Sequence, residues 1–356
     1  MEKKKGLICL LILACLFLLL YINYFNKTSS LEPFNYASGD TYIAMTADSY
    51  IFMQMDSGKT TYYRQYLYED NCIEIGEIDN FFLSTKGSAV VGQSVFFIAV
   101  VIVDEQLKTL LYEIDLTKNS LSAVVSDYAC NFDAYTFAYK DYVAIAKYYY
   151  ESDNIRSCID LYDPISKKIK TVLTANIDNV NLIGSIFLKA CSDGENIYVL
   201  TDVGNGLGQN PTTNIVEYDS TFKPVRSLSI EKVHDYIMES RVYEMTIENN
   251  YIFLSNYSNN SVICKLKKDE VIPIIQQQDL EIVERATDVL LYVRGSGSLF
   301  MLEPTTAQIK KIETELKNNF VIKCLLACDN KVLMIMKADG APDYIVLTNI
   351  KKIEKL

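Results

Sequence analysis

The chain has no Trp, one His and seven Pro in 356 residues. A single His leaves no imidazole cluster for a zinc or iron site. A Ser-His-Asp or Cys-His catalytic set would have to use that one residue, His234. Val233-His234-Asp235 puts an acid next to it only by adjacency, and neighbouring residues on a helix point about 100° apart. His234 therefore reads as a solvated helix residue. No CxxC occurs, which sets aside a zinc ribbon or a thioredoxin-type motif. A basic surplus is missing too: 34 Lys and Arg stand against 45 Asp and Glu, a formal charge of −11. Nucleic acid is excluded as a partner, because phosphate binding needs clustered cations. A domain lying on anionic lipid is disfavoured for the same reason. The balance suits a soluble, self-repelling ectodomain.

What is abundant is Tyr, with Val, Ile, Thr and Phe, the residues of half-buried pleated surfaces. Frequent Lys, Asn, Ile and Tyr give the chain a bacterial, AT-rich character.

Lys3-Lys4-Lys5 precedes Gly6 to Phe25, twenty residues without a charge. At 1.5 Å per residue that is about 30 Å, the depth of a hydrocarbon core. The positive flank stays cytoplasmic, so the bulk of the chain is expected outside. Tyr21 and Tyr24 fall where aromatic rings favour the interface. A cleaved signal peptide would have a shorter apolar stretch and a small-x-small site. A lipoprotein is the other alternative, since Ile12-Leu13-Ala14-Cys15 resembles a lipobox with Cys15 as the acylated residue. The ten residues after Cys15 stay strongly apolar, however, where a mature lipoprotein usually begins with a polar tether. The expected organisation is a cytoplasmic tip (1–5), a transmembrane signal anchor (6–25), a linker (26–40) and an ectodomain (41–356).

Two of nine Cys lie in the anchor, and seven lie beyond it. Cys324 and Cys328 are four apart in an apparent strand, about 13 Å from each other. A disulfide needs Cα atoms within about 7 Å, so these two should not pair. Most of the others sit among apolar neighbours and read as small buried hydrophobes. Free thiols outside the cell suit an anaerobic habitat.

From residue 41 onward one pattern recurs. A turn leads into an apolar strand, an alternating strand follows after a loop, and a short Lys-rich strand closes the copy. The apolar strand begins near Asp48, Gly92, Lys140, Gly194, Asn249, Asp288 and Asn330. The alternating strand ends at Glu69, Asp115, Asp163, Asp219, Lys267, Glu303 and Asn349, spacings of 36 to 56 residues. Seven copies with a period of about 47 are the signature of a propeller of four-stranded blades. A pair of β-sandwiches is the alternative, but it would not require seven copies in phase. Blade one or seven is expected to borrow a strand from Pro33 to Tyr36. Ser229 to Arg241 breaks the pattern, with Val233, Tyr236 and Ile237 at helical spacing and Ser229 as N-cap.

The segment Val289 to Lys311 resembles a repeat of the quinoprotein-like and WD40-like propellers, and Ser192-Asp193-Gly194-Glu195-Asn196-Ile197-Tyr198 is similar to the turn that opens such repeats. The likeness covers most of 41–356 and implies architecture only. Quinoprotein dehydrogenases use eight blades with Trp docking motifs. This chain has no Trp and seven copies, so no quinone cofactor is implied.

No catalytic residue is assigned. The loops between second and third strands should share one face. They carry Tyr62, Tyr63, Tyr148, Tyr149, Tyr150, Glu151, Asp153, Asn154 and Tyr257 as candidate ligand-binding residues. Exposed Tyr offers rigid contact area with a polar tip. The longest polar insertion, Asp202 to Asn214, adds Asp202 and Asn205. With Asn210 these are possible Ca²⁺ ligands, beside the plainer reading of a flexible loop. No other cofactor or metal is implied. The expected function is a membrane-anchored binding or scaffold module recognising a protein, peptide or glycan at the cell surface. The alternatives are a carboxylate-based hydrolase or lyase on a propeller, or an accessory subunit of a membrane complex.

Overall fold

The computed structural model describes residues 32–33 and most of 41–349. Residues 1–31, 34–40 and 350–356 lie outside the described residues, as do 126–133, 206–211, 234–241, 313–319 and several shorter turns. The expected anchor over 6–25, and Cys15 with it, falls in that undescribed part. Among the described residues, no helix is long and apolar enough to cross a membrane.

The described chain is almost entirely strand. Four sheets have four strands each, and one has twelve. The twelve-stranded sheet is three consecutive antiparallel quartets joined by narrow seams. One seam is the pair Ile177↔Gly184 and Asp178↔Ile183. The other is a single parallel pair, Ser229↔Glu270. Seven units follow in order: I (41–78), II (81–125), III (135–178), IV (183–229), V (242–278), VI (280–312) and VII (320–349). Among the described residues, unit VII has three strands of its own. Its fourth is Glu32–Pro33, paired antiparallel with Ile345 and Tyr344. The linker is thus where the borrowed strand comes from, and the last unit receives it.

All seven predicted apolar strands are the second strands of these units, from Ser49–Asp56 in I to Lys331–Ala338 in VII. Their long apolar runs have a packing cause. In Ser94–Val103 of unit II, residues 95 to 101 are all buried. Alternate side chains go to opposite neighbours: Phe97, Ala99 and Val101 pack with Ile51, Met53 and Tyr62 of unit I. Phe96 and Ile98 pack with Val143, Ile145 and Tyr162 of unit III. A strand buried on both faces needs no polar alternation. Each such side chain contributes about 1.5–3 kcal/mol.

The same arrangement repeats around the molecule. Separate apolar clusters join III to IV, IV to V, V to VI and VI to VII. A further cluster sets Tyr50 and Phe52 of unit I against Leu333 and Ile335 of unit VII, returning the circuit to its start. First strands of successive units also lie against one another, ending with Phe320–Cys328 of VII beside Thr41–Met45 of I. This radial stacking of sheets is a β-propeller.

Of the predicted helix over 229–241 only the start lies within the described residues. Residues 231–233 are helical, and Ser229 Oγ accepts from Glu231 N at 3.3 Å. Cys72, Cys158, Cys191, Cys264, Cys324 and Cys328 are free thiols. Cys324 and Cys328 share the strand Phe320–Cys328, as their spacing predicts.

Candidate functional site: the hairpin face

Neighbouring strands in each quartet are antiparallel, so the connections alternate between two faces of the ring. One face carries the turns between first and second strands and between third and fourth. The other carries the hairpins between second and third strands.

The turn face is built by carboxylates. Asp115 Oδ1 accepts from Thr117 N at 2.9 Å and Lys118 N at 3.1 Å. Asp163 Oδ1 accepts from Ile165 N at 2.9 Å and Ser166 N at 3.3 Å. Asp219 Oδ1 accepts from Thr221 N at 2.8 Å and Lys223 N at 3.1 Å. Bonds from Lys118, from Ser166 and from Thr221 hold these three carboxyls below their ordinary range. Side chains also cross between units here. Arg64 of unit I is buried, and its Nη1 donates to Leu116 O at 2.6 Å and Asn119 Oδ1 at 2.8 Å in unit II. Its Nε donates to Ser49 Oγ at 2.8 Å, and its Nη2 lies 3.2 Å from Asp48 Oδ2. Lys167 of unit III reaches Glu113 of unit II at 2.9 Å. Three of the acids that end the predicted alternating strands, Asp115, Asp163 and Asp219, are therefore turn caps.

The hairpin face is where composition places the candidate residues. Tyr62 is fully buried and stacks on Phe97 with ring centres 5.0 Å apart. It is a core residue between units I and II, which corrects its expected exposure. Tyr63 is half-buried and stacks on Phe52 at 5.2 Å. Tyr148, Tyr149, Tyr150 and Glu151 belong to the strand Tyr142–Glu151 and not to a loop, and Asn154 opens the next strand. Strand alternation sends Tyr148 and Tyr149 to opposite sides. Lys147 lies over the Tyr149 ring at 5.8 Å. Asp202 is in the strand Ile197–Asn205, and its carboxylate accepts from Thr213 at 3.0 Å. Asn205 ends that strand, opposite Ile183. Asp153, Tyr257, His234 and Asn210 lie outside the described residues. Among the described residues, no three His, Cys, Asp or Glu side chains group as metal ligands would.

What this face does present is an apolar crest. Ile51 and Met53 line the I–II interface, and by alternation Met55 continues that row beyond the core, 56% exposed. Val101 lies in the same interface, and Val103 continues its row, 37% exposed. On the other side of the same hairpin, Ile102 and Leu107 are a cross-strand pair, 42% and 47% exposed. Their row is that of Ile98, so they face unit III, where Tyr149 continues the row of Val143 and Ile145. Beneath them, Lys147 and Asp160 form an ion pair at 3.0 Å. Burial, and next the charge of Asp160, push the neighbouring Cys158 thiol up to about 12. That thiol is not a nucleophile near neutrality. The sequence signal for the crest was the length of the run Val95 to Val103, two residues more than the interfaces bury.

The turn at the tip of this hairpin is unusual. Asp104 and Glu105 have φ of 52° and 61°. Two positive φ values define the turn that matches strand twist, and Asn-Gly is the usual occupant. The unit I hairpin uses Gly58 for this purpose, at φ 85°. Holding Glu105 there costs about 1 kcal/mol or more.

No protein-family profile matches the chain, and no curated protein is significantly similar to it. Solved structures do match in fold. The β-propeller domain of the trilobed protease from Pyrococcus furiosus is similar with a TM-score of 0.58 and 11% identity, over 88% of this chain and 94% of that one. The acylaminoacyl peptidase of Pyrococcus horikoshii matches with a TM-score of 0.56 and 10% identity, over 90% of this chain but 51% of its own length. An oligogalacturonate lyase in complex with manganese matches with a TM-score of 0.54 and 8% identity, over 92% of this chain and 98% of the lyase. The chain thus spans about half of the peptidase and nearly all of the lyase. These likenesses establish the propeller architecture. They overturn the expectation of a binding or scaffold module, because the matching propellers belong to peptidases and a lyase.

Proposed function

We propose that this chain is a propeller of the hydrolase and lyase kind: a ring of seven four-stranded blades, standing outside the cytoplasm on its N-terminal apolar segment, as the non-catalytic subunit of a degradative enzyme. The repeats are WD40-like in their spacing. The observation that carries the reading is the likeness in fold, end to end, to the propeller domain of a protease. Seven quartets of strands and the return of unit VII onto unit I support the blade count. The twenty uncharged residues after Lys3-Lys4-Lys5 support the tether.

Proportion favours a partner for the chemistry. A peptidase about twice this length has a second half that this chain does not match. Five described carboxylates are also occupied: Asp115, Asp163 and Asp219 cap turns, Glu113 pairs with Lys167, and Glu217 pairs with Arg226. A second reading, in which the propeller itself carries carboxylate chemistry, is favoured by the match to nearly the whole length of the lyase.

One assay separates them. The purified full-length chain is offered quenched-fluorescence peptides and polygalacturonate, alone and in the membranes it came from. Turnover in membranes that disappears on purification to a single chain supports the first reading. Turnover by the single chain establishes the second. Membranes with and without the chain degrading both substrates equally would sink both.

A further inference from the structure

We infer that the crest on the hairpin face of units I to III is the docking surface for the catalytic chain, and that this partner presents an apolar groove rimmed by Lys or Arg. The inference rests on the functional reading above and assigns it a place.

Three observations carry it. Met55, Ile102, Val103 and Leu107 are the overhanging ends of rows that are otherwise buried between blades. Met55 and Val103 continue the two rows of the I–II interface, and Ile102 and Leu107 flank the same unit II hairpin on its other side. The hairpin tip holds two exposed acids, Asp104 and Glu105, in a conformation that a Gly would adopt without strain. Positive φ at non-Gly residues also occurs in turns of the opposite face, as at Lys140 and Lys167, so it is the charge of this tip that bears on a partner. Charge then chooses among occupants. Two carboxylates lead the crest, on a chain of net charge −11. Pressing them into a bilayer or against a second copy of this chain would meet desolvation or like charge. A cationic rim on a protein groove pairs with the tip while the groove covers the aliphatic side chains.

The test uses the full-length chain isolated from its own membranes in detergent. Peptide hydrolysis and polygalacturonate cleavage that co-elute with it are measured for the wild type, for a Val103→Asp, Leu107→Asp double variant, and for Ile165→Asp. Ile165 is 91% exposed on the turn face and serves as the control. The expected result is a co-eluting activity that falls about tenfold in the double variant and not in the control. A photo-crosslinker at position 103 should give an adduct that retains that activity. Thermal melting of each variant checks its folding, and Met55→Asp stands in if the double variant melts early. Activity that co-elutes equally with the double variant would overturn the docking face and leave the functional reading standing. No co-eluting activity with the wild type would remove the reading underneath. Adducts with lipid alone, or with a second copy of the chain, would also overturn the inference.

Discussion

The two faces of the ring are made by the same strands yet are finished differently. On the turn face, Asp side chains cap backbone donors, and Arg64 and Lys167 reach from one unit to the next. On the hairpin face, apolar rows run past the end of the core and stop in solvent. One face ties neighbouring blades together through side-chain hydrogen bonds and ion pairs, and the other carries the overhanging rows. Polar residues on a propeller surface are therefore no guide to its working face. Here the acid-rich side is the structural one.

The sharpest challenge to this contrast lies at a point where the hairpin side is itself structural. Gly184 joins units III and IV with φ 127°, and a Cβ there would sit 2.2 Å from Asn176 O. Gly184→Ala should cost about 3 kcal/mol or more, because backbone must move. Urea unfolding would show it, and a midpoint within error of wild type would mean that the seam is not fixed. Next comes Arg64→Met, which removes the cross-unit donor and orphans Leu116 O. A loss of about 3 kcal/mol is expected in the same measurement. A smaller loss than that of the Val103→Asp, Leu107→Asp double variant would reverse the contrast.

A third test is acid. Asp115, Asp163 and Asp219 have folded pKa values below the unfolded one near 4. A depressed carboxyl stabilises the fold above the unfolded pKa, and that stability is lost as pH falls through the folded value. Stability should thus be flat above about pH 5 and decline below about pH 4. In the triple Asp→Asn variant the decline should be shallower, as followed by melting temperature against pH. An equal slope would show that other groups carry the acid response. The smallest effect should come from Val103→Asp with Leu107→Asp, a change within about 0.5 kcal/mol. A large loss there would mean that the crest is core.

Much of the architecture was readable from residue order. Double-sided burial makes apolar runs such as Val95 to Val101, and turn caps make Asp115 and Asp163 punctuation, so strands and period could be counted. The candidate site was less legible for a reason of parity. Successive strand residues point to opposite neighbours, so one position separates a buried Tyr62 from a half-exposed Tyr63. Composition sees two equal tyrosines. Only the register, Tyr62 opposite Met53 and Tyr63 opposite Phe52, tells them apart.

The borrowed strand gives the ring a mechanical character of its own. Among the described residues, Glu32–Pro33 holds the last blade through two residue pairs, against the ten that join the second and third strands of unit II. A pull on the N-terminus reaches this clasp first. It would unfasten at low force and leave the remaining 27 strands loaded only where unit VII meets unit I. A load applied through Glu32–Pro33 would therefore part the ring at its seam before it reached a strand held by ten pairs.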